Sequence, residues 1–485
     1  MKTFLASALL LAAPFAPCVR PALAQMSSTP VTISVGNSPR QTFAGLGTSL
    51  GNWGLDYGKL SPTERATLSR TLWQGLKMRS LRLWINLNEY APDAKTRDTK
   101  YFRQRYIESG LITDAKRYGV VDLVLAPDNA PPFLKVKRDG GPNDYAIPDA
   151  NLAAYATVIA DFIKQIRDET GVLINVTGVQ NEPNDLDRIA PEQMPAVVKA
   201  LRAALDARGL QRVGIIAPEA ANVDWTMINS EKALKADPQA WAALAGIASH
   251  SYNMAATEEA ASFVAGADGR QTKPYWQTEA SANGPEAPGD ATQGASLASR
   301  FLSDMNHRVT HWQHFLGFEI PDANDNATRI LAYTPSPLKI TKFQKYDYYR
   351  ALTNAFDVGA VFRKSASDKD GDMTWTYGPK PRLTAAAARN PDGSWGVGLS
   401  NFTSPTFAEK PGNDGYANGF AAQTFDATVR VPQARAGSLF RVHRVGPGLD
   451  ADDKALVALR DGAVVVRGIA PLQLVTLRSA RSGRY

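Results

Sequence analysis

Cysteine is almost absent from this chain of 485 residues: its only one is Cys18. Cys18 falls inside an N-terminal stretch that reads as a removable leader, so the mature chain is expected to carry no thiol and no disulfide. Lys2 supplies the positive start of that leader, Phe4 to Ala16 its short apolar run, and Ala22-Leu23-Ala24 a small-residue cleavage site before Gln25. Residues 1–24 are set aside on that basis, and a secreted or periplasmic protein is expected. The apolar run is too short to span a bilayer, and no second one follows, so no membrane span is expected. Without disulfides, stability must come from core packing. With 44% of its residues hydrophobic, the chain can bury a large core in more than one domain.

Dense Lys/Arg runs are missing as well. The formal net charge is +7, and two of the positive charges, Lys2 and Arg20, leave with the leader. This is an ordinary mildly basic protein, and nothing beyond its pI speaks for a nucleic-acid partner. There is no tandem repeat and no low-complexity linker. No Gly-x-Gly-x-x-Gly opens a helix near the start, which argues against a dinucleotide-binding doubly wound sheet. No His-x-His or His-Glu-x-x-His occurs, which argues against a metal-dependent hydrolase. No metal and no cofactor are expected.

What the sequence does contain is a long alternation of strand and helix signals. Strands are predicted at Gly45, Ser80 to Ile85, Val120 to Ala126, Val172 to Val176, Val213 to Ala217, Ile247 to Tyr252, around Trp276 to Glu279, and at His314 to Ile320. Helical patterns separate them. Ser61-Pro62-Thr63-Glu64 has the N-cap Ser, the early Pro and the capping-box Glu of a helix start. Leu152, Tyr155, Ile159, Phe162 and Ile166 line one helix face. A last helix is predicted over Leu338 to Asn354. Eight strand–helix units suit an α/β fold of the (β/α)8 TIM-barrel type, over residues 41–355. After about Phe356 the pattern becomes short strands with turn signals such as Asn390-Pro-Asp-Gly393, which predicts a β-sandwich over 356–485. The strand in residues 25–40 is expected to pair into that sandwich, so that both termini build one side domain.

The chemistry is expected at two strand ends. Val176 to Asn184 reads Val-Thr-Gly-Val-Gln-Asn-Glu-Pro-Asn, and Pro183 must end its strand. Glu182 therefore sits at a strand tip, with Asn181 before it. Pro274-Tyr-Trp-Gln-Thr-Glu279 places a second carboxylate at another tip. A lone Glu at a loop start is ordinarily a surface carboxylate. Two of them at strand ends of one parallel barrel, among aromatic and amide neighbours, suit glycoside hydrolysis, which sets two carboxylates around one bond.

Four segments, Gly45-Leu-Gly-Thr-Ser-Leu50, Ala126-Pro-Asp-Asn-Ala-Pro-Pro-Phe133, Gln180-Asn-Glu-Pro183 and Trp276-Gln-Thr-Glu279, resemble family 30 of the clan A glycoside hydrolases, retaining β-glycosidases. The Gly45-to-Trp53 opening is most similar to the endo-β-1,6-galactanase branch; xylanase, β-1,6-glucanase and glucosylceramidase branches are the alternatives, and a glycan-binding barrel without turnover is a different class. The resemblance implies Glu182 as general acid/base and Glu279 as nucleophile. It implies Arg82 as the cation beside the nucleophile, Asn181 as the contact to the sugar 2-hydroxyl and Tyr252 as a hydrogen-bond donor to the nucleophile. His250 is a candidate support for Tyr252. Trp53 and Trp276, before Trp84 and Trp312, are candidate sugar-stacking faces, and Asn129 is a candidate substrate contact. Asp128 stands where the family usually has Trp, and Phe318-Glu319-Ile320 where clan members place an aromatic platform. Glu219 and Glu319 are extra carboxylates expected to be structural. A carbohydrate substrate and a monomer are expected.

Overall fold

The computed structural model describes residues 28–50, 56–141, 143–184, 187–373, 382–407 and 420–480. The leader and Trp53 lie outside these residues. Eight strands close a parallel barrel: β1 (Gly45–Leu50), β2 (Ser80–Asn86), β3 (Asp122–Asp128), β4 (Val176–Thr177), β5 (Gly214–Ala220), β6 (Leu244–His250), β7 (Tyr275–Ala280) and β8 (His311–Phe315). Each pairs with the next in the chain, and β8 returns to β1 with His311 opposite Gly45 and Phe315 opposite Ser49. The strands are buried on both faces, as in a parallel barrel; β1 and β7 are buried at every position, so the polar residues they carry need partners inside the barrel. Helices cover the outside. The first begins at Pro62, and Ser61 and Glu64 form the expected capping box. The helix Leu152–Thr170 buries the predicted face and ends at Gly171, whose φ of +72° suits a helix stop.

The side domain is two facing sheets. One is ordered Ser365–Ser367, Thr29–Val35, Phe425–Arg430, Ala463–Ile469; the other includes Leu383–Arg389, Trp395–Asn401, Leu474–Ser479 and Leu439–Gly446. Thr29–Val35 runs parallel to Phe425–Arg430, so the N-terminal strand joins the C-terminal sheet as expected. Val31, Ile33, Val397, Val429 and Leu477 share its core. The second sheet lies on the helix Ala291–Asn306, whose residues are nearly all buried. Gly398 makes this approach possible, since a Cβ there would lie 2.7 Å from Leu302.

Two expectations are corrected. The eighth strand is His311–Phe315, not His314–Ile320. Its ladder with β1 ends at Phe315 opposite Ser49, and Phe318–Glu319 pairs instead with Leu331–Thr334 in a small separate sheet. The last helix is Lys345–Ala355, because Leu331–Thr334 and Lys339–Lys342 form an antiparallel hairpin with Ser336-Pro337 in its turn. The Ser-Pro pair, a helix-start signal in sequence, serves the turn. Among the described residues no helix is long and apolar enough to cross a membrane.

Candidate active site

Arg82, in the middle of β2, is fully buried and points into the barrel, where a cation is tolerated only if its donors are paired. Its Nη1 donates to Glu279 Oε2 at 2.5 Å. Its Nη2 faces Asn181 Oδ1 at 2.8 Å, Glu219 Oε1 at 3.3 Å and His250 Nε2 at 3.3 Å. Burial alone would weaken the guanidinium charge, but Glu219, Glu279 and Glu182 outweigh it and hold the pKa above the ordinary arginine value. One cation thus gathers residues from strands 2, 4, 5, 6 and 7.

The chain is bent in the same unusual way just after β3, five residues after β4 and near the end of β5. Asn129, Glu182 and Glu219 have φ of +48°, +47° and +61°. A non-glycine residue in this region costs about 1–3 kcal/mol and persists where surrounding contacts impose it, often at functional sites. Here the contacts are visible: Asn181 N donates to Pro127 O at 2.6 Å and Glu182 N to Glu219 O at 3.1 Å. The bends turn the Glu182 side chain over the barrel mouth, where it is 20% exposed, against 6% for Glu279.

His250 links the two halves of the site. Its Nε2 faces a guanidinium N–H and must accept, so the ring proton sits on Nδ1 and is donated to Glu182 Oε1 at 2.9 Å. Burial pushes the pKa of His250 down to about 3, which keeps the ring neutral. Tyr252 donates its hydroxyl to Glu279 Oε1 at 2.5 Å. Burial, and then Glu279, raise its pKa well above the usual tyrosine value, so it stays a donor. Arg82 and Tyr252 therefore hold the two oxygens of Glu279. Glu182, His250 and Glu279 each offer an atom lying within 4.8 Å of the others. The positive charge beside that triangle is already supplied by Arg82.

The sequence candidates divide clearly. Glu182, Glu279, Asn181, Arg82, Tyr252 and His250 come together. Asn129 is beside them, but its amide braces Asn86 Oδ1 at 2.9 Å and Asp128 Oδ2 at 2.8 Å. Trp276 is corrected: it is 5% exposed, stacks on His311 with ring centroids 3.4 Å apart, and fills a barrel layer with Val124, Val176, Ile216 and Ala248. Three residues before Glu279, it lies one layer below the mouth. Trp312 is also buried, its indole N–H on Asp304. Trp84 is half-buried, donates to Ser49 Oγ at 2.8 Å, and lies 6.0 Å from Phe315. Glu319 is off the site, its carboxyl accepting from Ile320 N.

Three residues were not read as part of the site. Phe315 ends β8 and supplies an aromatic beside Trp84; the misplaced strand hid it. Glu219 lies near the end of β5, next to Pro218, as Glu182 lies next to Pro183, and burial raises its pKa. It fits because Gly178, on the neighbouring strand end, has no Cβ; one there would lie 1.7 Å from Glu219 Oε2. Asp128 sits 8% exposed at the tip of β3, and burial pushes its pKa up to about 6.

No family model and no curated protein matches this sequence. Solved structures do match. The catalytic domain of the family 30 glycoside hydrolase xylanase C from Talaromyces cellulolyticus superposes with a TM-score of 0.67 at 16% identity, covering 93% of this chain and all of that one. A family 30 endoxylanase from Clostridium papyrosolvens gives 0.64 at 15%, covering 94% and 100%. An endo-β-1,6-glucanase gives 0.62 at 16%, covering 93% and 94%. The chain thus has the fold of these enzymes, a TIM barrel with a side β-domain.

Proposed function

We propose that this protein is an exported retaining β-glycoside hydrolase of family 30. The observation that carries the proposal is the placement of two carboxylates, Glu182 and Glu279, with oxygens within 4.8 Å of each other at the mouth. Retaining glycosidases set their carboxyl groups about 5–5.5 Å apart, and inverting ones about 6.5–9.5 Å to admit a water. The shared fold supports the family.

In this reading Glu279 attacks the anomeric carbon while Glu182 protonates the leaving oxygen. A glycosyl–Glu279 ester forms, and Glu182 then takes a proton from the water that hydrolyses it. Arg82 and Tyr252 compensate the charge of Glu279 and aim it. Because Arg82 holds Asn181 Oδ1, the amide NH2 of Asn181 is turned outward as a donor for the sugar 2-hydroxyl. His250 supports the acid/base rather than Tyr252, since its donated proton lies on Glu182. Trp84 and Phe315 supply the aromatic wall.

The substrate we propose is a β-1,6-galactan, on the likeness of the Gly45-to-Trp53 stretch. The xylanases and β-1,6-glucanase among the fold relatives make glucuronoxylan and β-1,6-glucan the competing substrates. Side-by-side digestion of the three polymers, with the anomeric configuration of the first product read by proton NMR, tests both parts. Galactan cleaved fastest with a β-product is expected. An α-product first would overturn the retaining assignment, and preference for xylan would overturn the substrate. Binding without turnover of any polymer would leave a glycan-binding barrel.

A further inference from the structure

Among the described residues, the exposed aromatic side chains are Tyr101, Phe133 and Trp225, at 48%, 39% and 71%. All three follow barrel strands, in the segments after β2, β3 and β5, which places them on the face where Glu182 and Glu279 lie. Trp225 is the most exposed large apolar residue of the three. A single exposed aromatic is ordinary on a protein surface; what singles out Trp225 is that its ring, apolar on both faces, stands open on the face that carries the two carboxylates.

Its backbone is held in place by its surroundings. Trp225 is the first residue of the helix Trp225–Ala236, and side chains in a first turn lean back toward the helix N-terminus, here the barrel mouth. Asp224 caps that helix, accepting from Thr226 N at 2.9 Å and Met227 N at 3.4 Å. The loop before it is tied on both sides to site loops. Ala221 N donates to Asn184 Oδ1 at 3.2 Å, beside Glu182. Asn222 Oδ1 accepts from Asn253 N at 2.5 Å and Met254 N at 3.3 Å, beside Tyr252. Four residue steps lead from Ala221 to Trp225, about 14 Å at full extension, so with the link to Asn184 added the Trp225 backbone lies within about 20 Å of the Glu182 loop. That is within the reach of a short run of sugars.

We infer that Trp225 is a distal sugar-binding platform, stacking a ring of the glycan chain that runs out of the mouth past Glu182 on the leaving-group side. The ligand is a polysaccharide segment, recognised by the apolar face of one of its pyranose rings. This rests on the glycoside hydrolase reading above and deepens it. The Glu182 side receives the leaving oxygen, so sugars beyond it belong to the departing chain. Phe133 flanks the same strand tip from the other side. The enzyme would then favour polymers over short glycosides.

The test compares wild type, Trp225→Ala and Trp225→Tyr on glucuronoxylan, β-1,6-glucan and β-1,6-galactan, and on aryl glycosides of the matching single sugars. An aryl monoglycoside has no sugar beyond the cleaved bond. Trp225→Ala should raise KM on the cleaved polymer about five- to tenfold more than on the aryl glycoside, and Trp225→Tyr should restore most of the difference. Retardation in native gels containing the same polymer should fall in parallel. Equal losses on polymer and aryl glycoside, or no loss on the polymer, would overturn the platform while leaving the enzyme reading intact. A wild type that neither cleaves nor is retarded by any of the three polymers would overturn both.

Discussion

At the scale of single residues, the site is a problem of charge around one buried cation. Arg82 meets Glu279, Glu219 and Asn181 directly, while His250 stays neutral between Arg82 and Glu182. Each partner is held by a different strand, so a small displacement of one is felt by the others. Gly178→Ala tests this without removing any charged group. Its Cβ would meet Glu219 Oε2 at 1.7 Å and force that carboxyl, and with it Arg82, to move. We expect kcat to drop about ten- to a hundredfold, since a misplacement of about 1 Å near the chemistry can cost about a hundredfold, with a smaller change in KM. Steady-state kinetics beside a melting curve checks it; unchanged kcat in a folded variant would mean that Glu219 does not position Arg82.

At the scale of elements, β8 and its continuation carry the clearest pH signature. Burial, countered only partly by Ile320 N–H and Arg329, raises the Glu319 pKa from 4.5 to about 7. A folded-state pKa above the unfolded one gives stability that is complete below the unfolded value and lost as pH rises through the folded one. Glu319 should therefore cost stability progressively from about pH 4.5 to 7. Glu319→Gln should raise Tm above that window and leave it little changed below. Melting curves across the range would contradict this if the variant lost stability above pH 7.

The same segment shows what could be read from sequence. Glu182-Pro183 located the site, although the β4 strand is Val176–Thr177, not Val172 to Val176, and stops five residues before Glu182 rather than at the proline. The amphipathic face from Leu152 to Ile166 located a helix by period alone. Beyond His314 the apolar run continues to Ile320, and nothing local says that β1 stops pairing at Ser49. Hence Phe315 was missed and Glu319 placed at a barrel end. Trp276 failed for a related reason. Its layer depends on the bulges in the β7 pairings, where Ser249 faces Gln277 and His250 already faces Glu279. Glu219 became legible only with Gly178 on the adjacent strand end.

At the scale of the molecule, the side domain and barrel meet through a charge cluster. Arg40 donates to Glu258 at 2.8–2.9 Å, and Lys364 to Glu258 and Asp372 at 2.9 and 2.8 Å, beside His307. The Lys364 ammonium occupies the position a metal would take between these groups. Burial alone would raise the Glu258 pKa, but hydrogen bonds from Arg40 and Lys364 outweigh it and bring it from 4.5 to about 2. A depressed pKa gives stability present above the unfolded value and lost as pH falls through the folded one. Acidification from about pH 4.5 to 2 should loosen this seam, and Glu258→Gln should flatten that part of the Tm–pH curve. Added salt should weaken the effect, since Glu258 is half exposed. A variant curve as steep as wild type would remove Glu258 from the seam's acid response.

The central claim is the division of labour between Glu279 and Glu182, and azide rescue tests it most directly. In Glu279→Gly the attacking group is gone and a hole is left below the anomeric carbon, where azide attacks from the carboxylate's own face; an activated β-glycoside then gives an α-glycosyl azide. In Glu182→Ala the covalent intermediate still forms from a good leaving group, and azide attacks it from the opposite face to give a β-glycosyl azide. The anomeric proton coupling distinguishes the two products. Opposite configurations in this order are what the account predicts; swapped configurations, or full activity in both variants, would contradict it.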